Sequence, residues 1–546
     1  MKLRLENAFI LASALGCKAN TNGTNSTGGF ETIVPSANLT WTPCYDGFSC
    51  AKLQVPIDHA NPNLGTTFIP WMKLTGKNAT AKSPSIVVIP GGPGGTGTGL
   101  LRTYKSIAGS MLGEQYNLVS FDPRGVGISD LAVDCFAGNT SARETFARLL
   151  STGVTNLTET RKVEQQFYSS SIYGEWCNNA VATSKGKGAY GYYVTTPAVV
   201  RDLLSFVEAN ARSVGEDPSN AKLWAYGISY GTVVGATFAS MFPDRVGRMV
   251  LDGVVNSDEY YRNDWKDNLD QMDESIEAFV NYCHSAGAEK CSFWGPSPAN
   301  ITARMDAAIE RLQDNPIPIS GVPDKLPTLF TISDLKTGFI NSVYQPLAVF
   351  PVLADVLKLL EVGGVPSAFA GFYDSQGLLN LNDGAQMIRC SDVYGRNNIT
   401  TLDDFKSHVE FATKTSKYMG DLFPIWLGNV VCRGFQPDLP EGMIVEDPIS
   451  GPQRNSSFPI LFTTNTIDGI TPPVSARKMS SRFPGSTVLY QDGIGHTVIA
   501  QGGSPCYFGH VQAYFQGQMP SPSIGNRTVT CPRLFVPFID TQPLPL

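Results

Sequence analysis

The sequence has 546 residues, with 41 basic and 48 acidic side chains and a net charge of −7. Hydrophobic residues make up 42% of the chain and charged residues only 16%. This balance is typical of a folded globular protein, and it excludes a charge-rich disordered chain, a coiled coil and a strongly basic nucleic-acid-binding protein. No stretch reaches the roughly 18 apolar residues that a membrane-spanning helix needs. We therefore expect neither a nucleic-acid partner nor a transmembrane segment.

The first 19 residues have the pattern of a signal peptide. The basic residues Lys2 and Arg4 precede an apolar run over residues 8–15, and small residues follow. This order is typical of a secretory leader, so residues 1–19 predict a secreted protein or one in the lumen of the secretory pathway. Two alternatives are an N-terminal segment without a targeting role and bacterial lipidation at Cys17.

The cysteines also favour an oxidising compartment. Of the eleven, Cys17 lies in the predicted leader, which leaves an even ten. No Cys-x-x-Cys pair occurs, so we expect no zinc or redox site. Sequence does not fix connectivity, and free buried thiols are the alternative. Pairing neighbours along the chain gives five hypothetical disulfides: Cys44–Cys50, Cys135–Cys177, Cys283–Cys291, Cys390–Cys432 and Cys506–Cys531.

Ten Asn-x-Ser/Thr sequences are potential N-glycosylation acceptors. Two of them, at Asn22 and Asn25, lie in an Asn/Thr/Gly-rich stretch over residues 20–29, which we expect to be a flexible leader. The other eight are the glycosylation candidates Asn38, Asn78, Asn139, Asn156, Asn300, Asn398, Asn455 and Asn526. Together with the paired cysteines, they favour a eukaryotic secretory glycoprotein over a bacterial lipoprotein.

Six short apolar runs predict strands buried on both faces, as in a parallel sheet covered by helices. The runs are residues 85–89, 117–121, 223–226, 248–251, 460–463 and 487–490. A helix is predicted before the third run, with Thr196 as its N-cap, Pro197 in its first turn and apolar residues at helical spacing as far as Val207. This alternation of strands and helices predicts an α/β fold with a mostly parallel sheet.

Two gaps between predicted strands are too long for a simple crossover. About a hundred residues separate the second run from the third, and about two hundred separate the fourth from the fifth. We predict one α/β core with an N-terminal part over residues 20–255 and a C-terminal part over residues 456–546. Residues 256–455 then form a large, mainly helical lid inserted over the carboxyl edge of the sheet.

The strongest motif is Gly227-Ile-Ser229-Tyr230-Gly231, which lies between a predicted strand and a predicted helix over residues 232–242. That context defines a nucleophile elbow, in which a strained turn lifts the serine hydroxyl clear of the sheet. Side chains at Gly227 and Gly231 would collide with a neighbouring strand or helix. Ser229 is therefore the candidate nucleophile, and the backbone N–H of Tyr230 is a candidate oxyanion donor.

A serine hydroxyl is a weak nucleophile and needs a base that a carboxylate orients. His496 follows the last predicted strand and is the candidate base, with His510 as the alternative. Asp468 follows the fifth predicted strand and is the candidate acid, with Asp252, directly after the fourth, as its rival. The order Ser229, Asp468, His496 along the chain matches that of the α/β-hydrolases.

A glycine-rich segment, Gly91-Gly92-Pro93-Gly94-Gly95, follows the first predicted strand. Glycines allow the backbone to approach a substrate carbonyl closely, and the N–H of Gly92 is the candidate second donor of the oxyanion hole. The competing interpretation is a phosphate-binding loop. It fails because neither a Gly-Lys-Ser/Thr ending nor a Gly-x-Gly-x-x-Gly spacing is present. We expect no metal or organic cofactor.

Taken together, the motifs resemble those of the tripeptidyl/prolyl aminopeptidase group of α/β-hydrolases. The resemblance covers residues 40–260 best, with a tripeptidyl-aminopeptidase-like C-terminal segment over residues 415–535. The sequence departs from the group at two positions. Many members have histidine where this chain has Pro90, and glutamine is common where it has Pro123. The segments that carry the resemblance are residues 91–95, 121–127, 195–202, 226–232, 242–253, 468–472 and 495–497.

The resemblance implies an α/β-hydrolase fold with a large helical lid and a serine peptidase that releases short peptides or single residues from peptide N-termini. In such enzymes acidic lid residues bind the free amine, but no motif distinguishes Asp258, Glu259, Asp264 or Glu274 for that role. One alternative is a carboxylesterase or lactonase acting on a small metabolite. Another is a non-catalytic binding protein with a hydrolase fold.

Overall fold

The structure is a computed structural model that describes residues 29–45, 47–150, 152–320, 327–364, 366, 382–444, 455–520 and 529–540. The predicted signal peptide and the sequons at Asn22, Asn25 and Asn526 lie outside these residues. Among the described residues, none of the helices combines the length and the apolar character that crossing a membrane requires.

Ten strands of the described chain form one mixed sheet, and two more form a separate ribbon. The strands are β1 (Thr42–Cys44), β2 (Phe48–Pro56), β3 (Thr66–Leu74), β4 (Ser85–Ile89), β5 (Asn117–Phe121), β6 (Leu223–Ile228), β7 (Val246–Asp252), β8 (Ile317–Ile319), β9 (Thr328–Phe330), β10 (Leu461–Ile467), β11 (Thr487–Ile494) and β12 (Val529–Cys531). Across the sheet the order is β1-β2-β3-β5-β4-β6-β7-β10-β11-β12. The first three neighbouring pairs in this order, β1–β2, β2–β3 and β3–β5, are antiparallel. All the pairs after them are parallel.

The described helices are α1 (Gly97–Thr103), α2 (Ala108–Leu112), α3 (Thr140–Leu150), α4 (Thr160–Thr183), α5 (Thr196–Ser213), α6 (Tyr230–Met241), α7 (Ser257–Arg262), α8 (Met272–Ala286), α9 (Pro298–Asp314), α10 (Ile332–Tyr344), α11 (Pro346–Glu361), α12 (Asp383–Asp392), α13 (Leu402–Thr415), α14 (Phe423–Trp426), α15 (Pro473–Arg482) and α16 (Pro505–Phe515). Helices α7 to α14 all lie between β7 and β10 in the chain, where the lid insertion was predicted. The central sheet flanked by helices is an α/β-hydrolase fold.

Alternate residues of β4 show why its run is continuously apolar. Val87 and Ile89 are buried in one hydrophobic cluster, together with residues of α5 and α6. Ile86 and Val88 are buried in a second cluster, together with residues of α1, α2 and α16. Both faces of the strand are therefore removed from water, which a strand between two helical layers requires. The predicted bounds of β4 and β5 agree with those of the structure.

The other predicted strands are longer than their apolar runs. The ladder between β6 and β7 continues through Gly227 and Ile228, which pair with Leu251 and Asp252. Glycine gives no apolar signal, so the run in the sequence stops before the strand does. Strand β6 thus delivers the chain directly to Ser229.

The predicted N-cap of α5 is wrong by one residue. Thr195 occupies the cap position and Thr196 belongs to the first turn of the helix. The hydroxyl of Thr196 donates to Asp392, 2.5 Å away, instead of accepting from the first turn of its own helix. A contact across almost 200 residues therefore overrides the local capping preference.

The ten cysteines outside the predicted leader all form disulfides in the structure, in the pairs expected from their order along the chain. Two of the bonds outside the regular sheet span 42 residues each: Cys135–Cys177 joins the loop after β5 to α4, and Cys390–Cys432 joins α12 to residues 429–434. Helix α4 also packs against residues 429–434. The long connection between β5 and β6 is thus packed against the lid.

Candidate active site

Ser229 lies at the sharp turn between β6 and α6 and has φ 56° and ψ −121°. Few residues other than glycine adopt a positive φ, and doing so costs free energy. A Cβ at Gly227 would approach the backbone oxygen of Gly231 to 2.6 Å, and one at Gly231 would approach that of Ile89 to 2.4 Å. The expected clashes at both glycines are therefore present, and the packing of the elbow requires glycine at each position.

The structure brings Ser229, His496 and Asp468 together. His496 follows β11, and its Nε2 lies 2.9 Å from Ser229 Oγ. Its Nδ1 lies 3.2 Å from Oδ2 of Asp468, which follows β10 and is fully buried. With Nδ1 protonated, this geometry leaves the Nε2 lone pair free to accept the serine proton.

Thr471 is part of this arrangement and was missed in the sequence analysis. Its hydroxyl donates to Oδ2 of Asp468 at 2.8 Å and lies 3.0 Å from Nδ1 of His496. The backbone N–H groups of Thr471 and Thr497 also donate to the Asp468 carboxylate. The sequence offered only a weak signal, since an aspartate often accepts hydrogen bonds from the residues that follow it in a turn.

Asp252, the alternative candidate acid, has different hydrogen-bond partners from Asp468. It accepts backbone hydrogen bonds from Val498 and Ile499 at 2.9 Å each, and a third bond from the hydroxyl of Tyr226. Burial raises the pKa of its carboxyl above the usual range. Asp252 therefore fixes the loop that follows His496, whereas Asp468 contacts the imidazole itself.

The alternative base, His510, lies elsewhere, on α16. It is close to the sulfurs of Cys506 and Cys531, which are bonded to each other and so do not provide thiolate ligands for a metal. His59, at another place in the fold, pairs with Asp202. Only His496 places a ring nitrogen within hydrogen-bond distance of Ser229 in the described part of the chain.

Both candidate oxyanion donors lie next to the serine. A Cβ on Gly91 would lie 3.0 Å from Cβ of Ser229, so the glycine-rich loop contacts the elbow. Gly92 has φ 121° and lines the same cavity as Ser229. Tyr230 is the first residue of α6, where a backbone N–H has no acceptor within the helix.

Comparisons with known proteins agree with this geometry. Residues 428–528 match the family model of the TAP-like protein, within the segment 415–535 that the resemblance predicted. The chain is 28% identical over 511 residues to the serine protease Hip1 of Mycobacterium tuberculosis, covering 89% of the chain and 90% of the relative. It is 24% identical over 530 residues to the tripeptidyl aminopeptidase of Streptomyces lividans (91% and 87%), and 23% over 533 residues to carboxylesterase B of M. tuberculosis (92% of each).

The chain is a serine hydrolase of the α/β-hydrolase type. The parallel sheet, the elbow and the two relatives named as peptidases agree on this class. The predicted resemblance to the tripeptidyl aminopeptidase group is confirmed.

A buried polar network connects the lid of this hydrolase to the elbow. The hydroxyl of Tyr230 lies 2.6 Å from Oγ1 of Thr196, which donates to Asp392 on α12. Tyr260 on α7 also donates to Asp392, at 2.8 Å. Burial raises the pKa of Asp392 to about 6. Nothing in the sequence linked these residues, which come from four separate helices.

Ser229 of the hydrolase opens into a cavity of about 230 Å³ beneath the lid. Its walls are mainly apolar and aromatic, with Trp265, Phe423 and Trp426 among them, and its charged lining residue is Arg389. No aspartate or glutamate of the described chain lines this cavity.

The four lid carboxylates considered for amine binding have other partners. Asp258 pairs with Arg482, and Glu259 accepts the backbone N–H of Asp267. The other two, Asp264 and Glu274, accept from the side chains of Asn398 and Gln271. None of the four lies in the cavity wall.

Proposed function

We propose that Ser229, His496 and Asp468 hydrolyse an acyl substrate through a covalent acyl-enzyme. The observation that carries this proposal is the 2.9 Å contact between Ser229 Oγ and His496 Nε2. His496 takes the proton as Oγ attacks the carbonyl carbon, and it returns that proton to the leaving group as the carbonyl–leaving-group bond breaks. Water then repeats the sequence on the ester of Ser229, with Asp468 stabilising the imidazolium throughout.

The negative charge that develops on the substrate carbonyl oxygen needs donors already in place. We assign this role to the backbone N–H groups of Gly92 and Tyr230. Each such donor typically lowers the barrier by about 3 kcal/mol. The reaction balances with water alone, so the proposal requires neither a metal nor an organic cofactor.

For the substrate, we propose a peptide from whose N-terminus short peptides or single residues are released. The support is the similarity, over about nine-tenths of the chain, to relatives named serine protease and tripeptidyl aminopeptidase. The second candidate is a carboxylesterase or lactonase that acts on a small metabolite. It is favoured by the cavity, because none of its described lining residues is a carboxylate that would pair with a free amine.

The decisive experiment combines active-site labelling with a substrate panel. A fluorophosphonate probe should label the wild-type protein, while Ser229→Ala should remain unlabelled with unchanged thermal unfolding. Tripeptidyl anilides with free and blocked amines, and short-chain 4-nitrophenyl esters, should then be compared. Cleavage of unblocked peptides supports the peptidase, whereas ester cleavage with every peptide intact supports the esterase. A wild-type protein that resists the probe and all substrates would overturn the hydrolase mechanism.

We further propose a secreted glycoprotein whose core, residues 20–255 and 456–546, is interrupted by the lid over residues 256–455. Five described sequon asparagines are exposed, namely Asn38, Asn78, Asn139, Asn398 and Asn455, while Asn156 and Asn300 are partly buried. Five disulfides also suit an oxidising compartment. Expression in a eukaryotic secretory host, followed by N-terminal sequencing and enzymatic deglycosylation, tests leader removal near residue 19 and glycan attachment.

A further inference from the structure

A deeply buried arginine of the lid lines the same cavity as Ser229. Arg389 lies on α12 and is only 5% exposed. Its Nη1 donates to the backbone oxygen of Leu427 at 2.6 Å, and its Nη2 donates to that of Gly428 at 2.9 Å and to the side-chain oxygen of Gln386. All three acceptors are neutral. The remaining nitrogen, Nε, is buried without an acceptor among the described residues.

Among the described residues, the charge of Arg389 is therefore solvated by dipoles and is not balanced by a carboxylate. No carboxylate of the described chain forms an ion pair with it, in contrast to the fully buried Arg124, which pairs with Asp202 at 2.5 Å. Burial lowers the pKa of Arg389 to about 10, so the guanidinium stays charged at neutral pH. A buried cation without a counter-ion raises the energy of the empty site, and an entering anion would relieve that penalty.

Helix α12 is held at two residues just after this arginine. Cys390, the next residue, is bonded to Cys432, and Asp392 accepts from Thr196 and Tyr260. Since these contacts attach the helix to the lid and to the core, Arg389 is positioned before a ligand arrives. The neutral acceptors use three of the five N–H groups of the guanidinium, so one N–H of Nη1 and that of Nε are left to donate charge-assisted hydrogen bonds to a carboxylate.

We propose that Arg389 binds a carboxylate of the substrate, so that the preferred acyl substrate is an anion. This inference rests on the proposed hydrolysis at Ser229, because both residues line one cavity. The aromatic walls suit the hydrocarbon part of such a substrate, and no described lining carboxylate repels its charge. The carboxylate has two possible sources, the acyl group (an acidic residue or a dicarboxylic acid monoester) and the leaving group.

Matched pairs of esters test the preference in the wild-type protein. For the acyl side, 4-nitrophenyl hydrogen glutarate is compared with its neutral methyl ester. For the leaving-group side, 3-carboxyphenyl butyrate is compared with 3-carbamoylphenyl butyrate. A charge-assisted contact predicts a kcat/KM ratio, anionic over neutral, of about tenfold or more in one of the two pairs. Ratios near one in both pairs would overturn the inference, whereas hydrolysis of none of the four esters would count against the mechanism at Ser229.

Variants then connect the preference to this arginine. In Arg389→Met, the kcat/KM ratio of anionic over neutral ester should fall to about one. In Arg389→Lys, it should lie between one and the wild-type value. The control Arg304→Met removes a lid arginine that pairs with Glu361 and does not line the cavity, and it should keep the wild-type ratio. If Arg389→Met fails to fold, inhibition of the wild type decides: glutarate should compete with substrate much more strongly than glutaramide. Equal inhibition by the two, or an unchanged ratio in a folded Arg389→Met, contradicts the proposal.

Discussion

The Asp252 carboxylate accepts a hydrogen bond at 2.9 Å from the backbone N–H of Val498, two residues after His496. The two candidate acids are thus divided between two tasks at the end of the same sheet. One contacts the imidazole, and the other fixes the backbone that carries it.

Substituting each acid separately should produce different losses. Asp468→Asn is expected to lower kcat by about 10⁴-fold, because the imidazole loses the carboxylate that sets its tautomer. Asp252→Asn is expected mainly to destabilise the fold, by about 2 kcal/mol, since buried backbone donors lose a charged acceptor. Ester kinetics and urea unfolding measure the two effects. A larger kcat loss in the Asp252 variant than in the Asp468 variant would transfer the acid role to Asp252.

Two glycine-to-alanine changes test the packing of the elbow. Gly231→Ala should destabilise the protein by about 2–3 kcal/mol, because the new Cβ would lie 2.4 Å from the backbone oxygen of Ile89. The control is Gly509→Ala in α16, where the new Cβ would meet no described atom within 4 Å apart from the backbone of its own helix. It should stabilise the protein by about 0.5–1 kcal/mol. Denaturant unfolding distinguishes them, and equal effects would contradict the packing argument.

Removing the disulfide next to Arg389 should affect activity as well as stability. Cys390–Cys432 closes a 42-residue separation, for which the chain-entropy relation gives about 4 kcal/mol. Its removal as Cys390→Ala with Cys432→Ala should also raise KM, because α12 loses an anchor beside the cavity. The control pair Cys44–Cys50 is six residues apart and joins outer strands. Its loss should cost about 2 kcal/mol and leave KM unchanged.

A buried histidine predicts a loss of stability in acid. Burial lowers the pKa of His408 to about 4, from 6.5 in the unfolded chain. Between these values the unfolded state binds more protons, so the free energy of unfolding should fall as the pH drops from 6.5 to 4, by about 3 kcal/mol. His408→Gln should remove this loss. Urea titrations across that pH range measure it, and an unchanged slope in the variant would refute the assignment.

Asp392 changes the free energy of unfolding with pH in the opposite direction from His408, and it serves as the comparison. Its pKa is raised to about 6, so the folded state binds more protons between about pH 4 and pH 6, and its contribution to stability declines as the pH rises through that window. Asp392→Asn should therefore make the loss of stability in acid steeper than in the wild type. A shallower slope would show that another group controls the acid limb.

The residues of the elbow and most of the strands could be predicted from the sequence because their causes are local. Gly227, Ser229 and Gly231 lie within five residues, and the strand before them and the helix after them have their own apolar patterns. The disulfides agreed with pairing in chain order because neighbouring cysteines here lie in neighbouring segments. Strand ends were less predictable, since glycine and polar residues continue a ladder without an apolar signal.

Tertiary structure alone decided which residues complete the site. Asp252 is the last residue of β7 and Asp468 directly follows the adjacent parallel strand β10, so both reach the same edge of the sheet. Only the paths of the following loops determine which one contacts His496. Arg389 and Asp392 come from a lid without a recognisable motif, and their partners lie far away in sequence. A side chain's chemistry can be read from its type, but its neighbours depend on how the whole chain packs, because contacts across hundreds of residues leave no local periodicity.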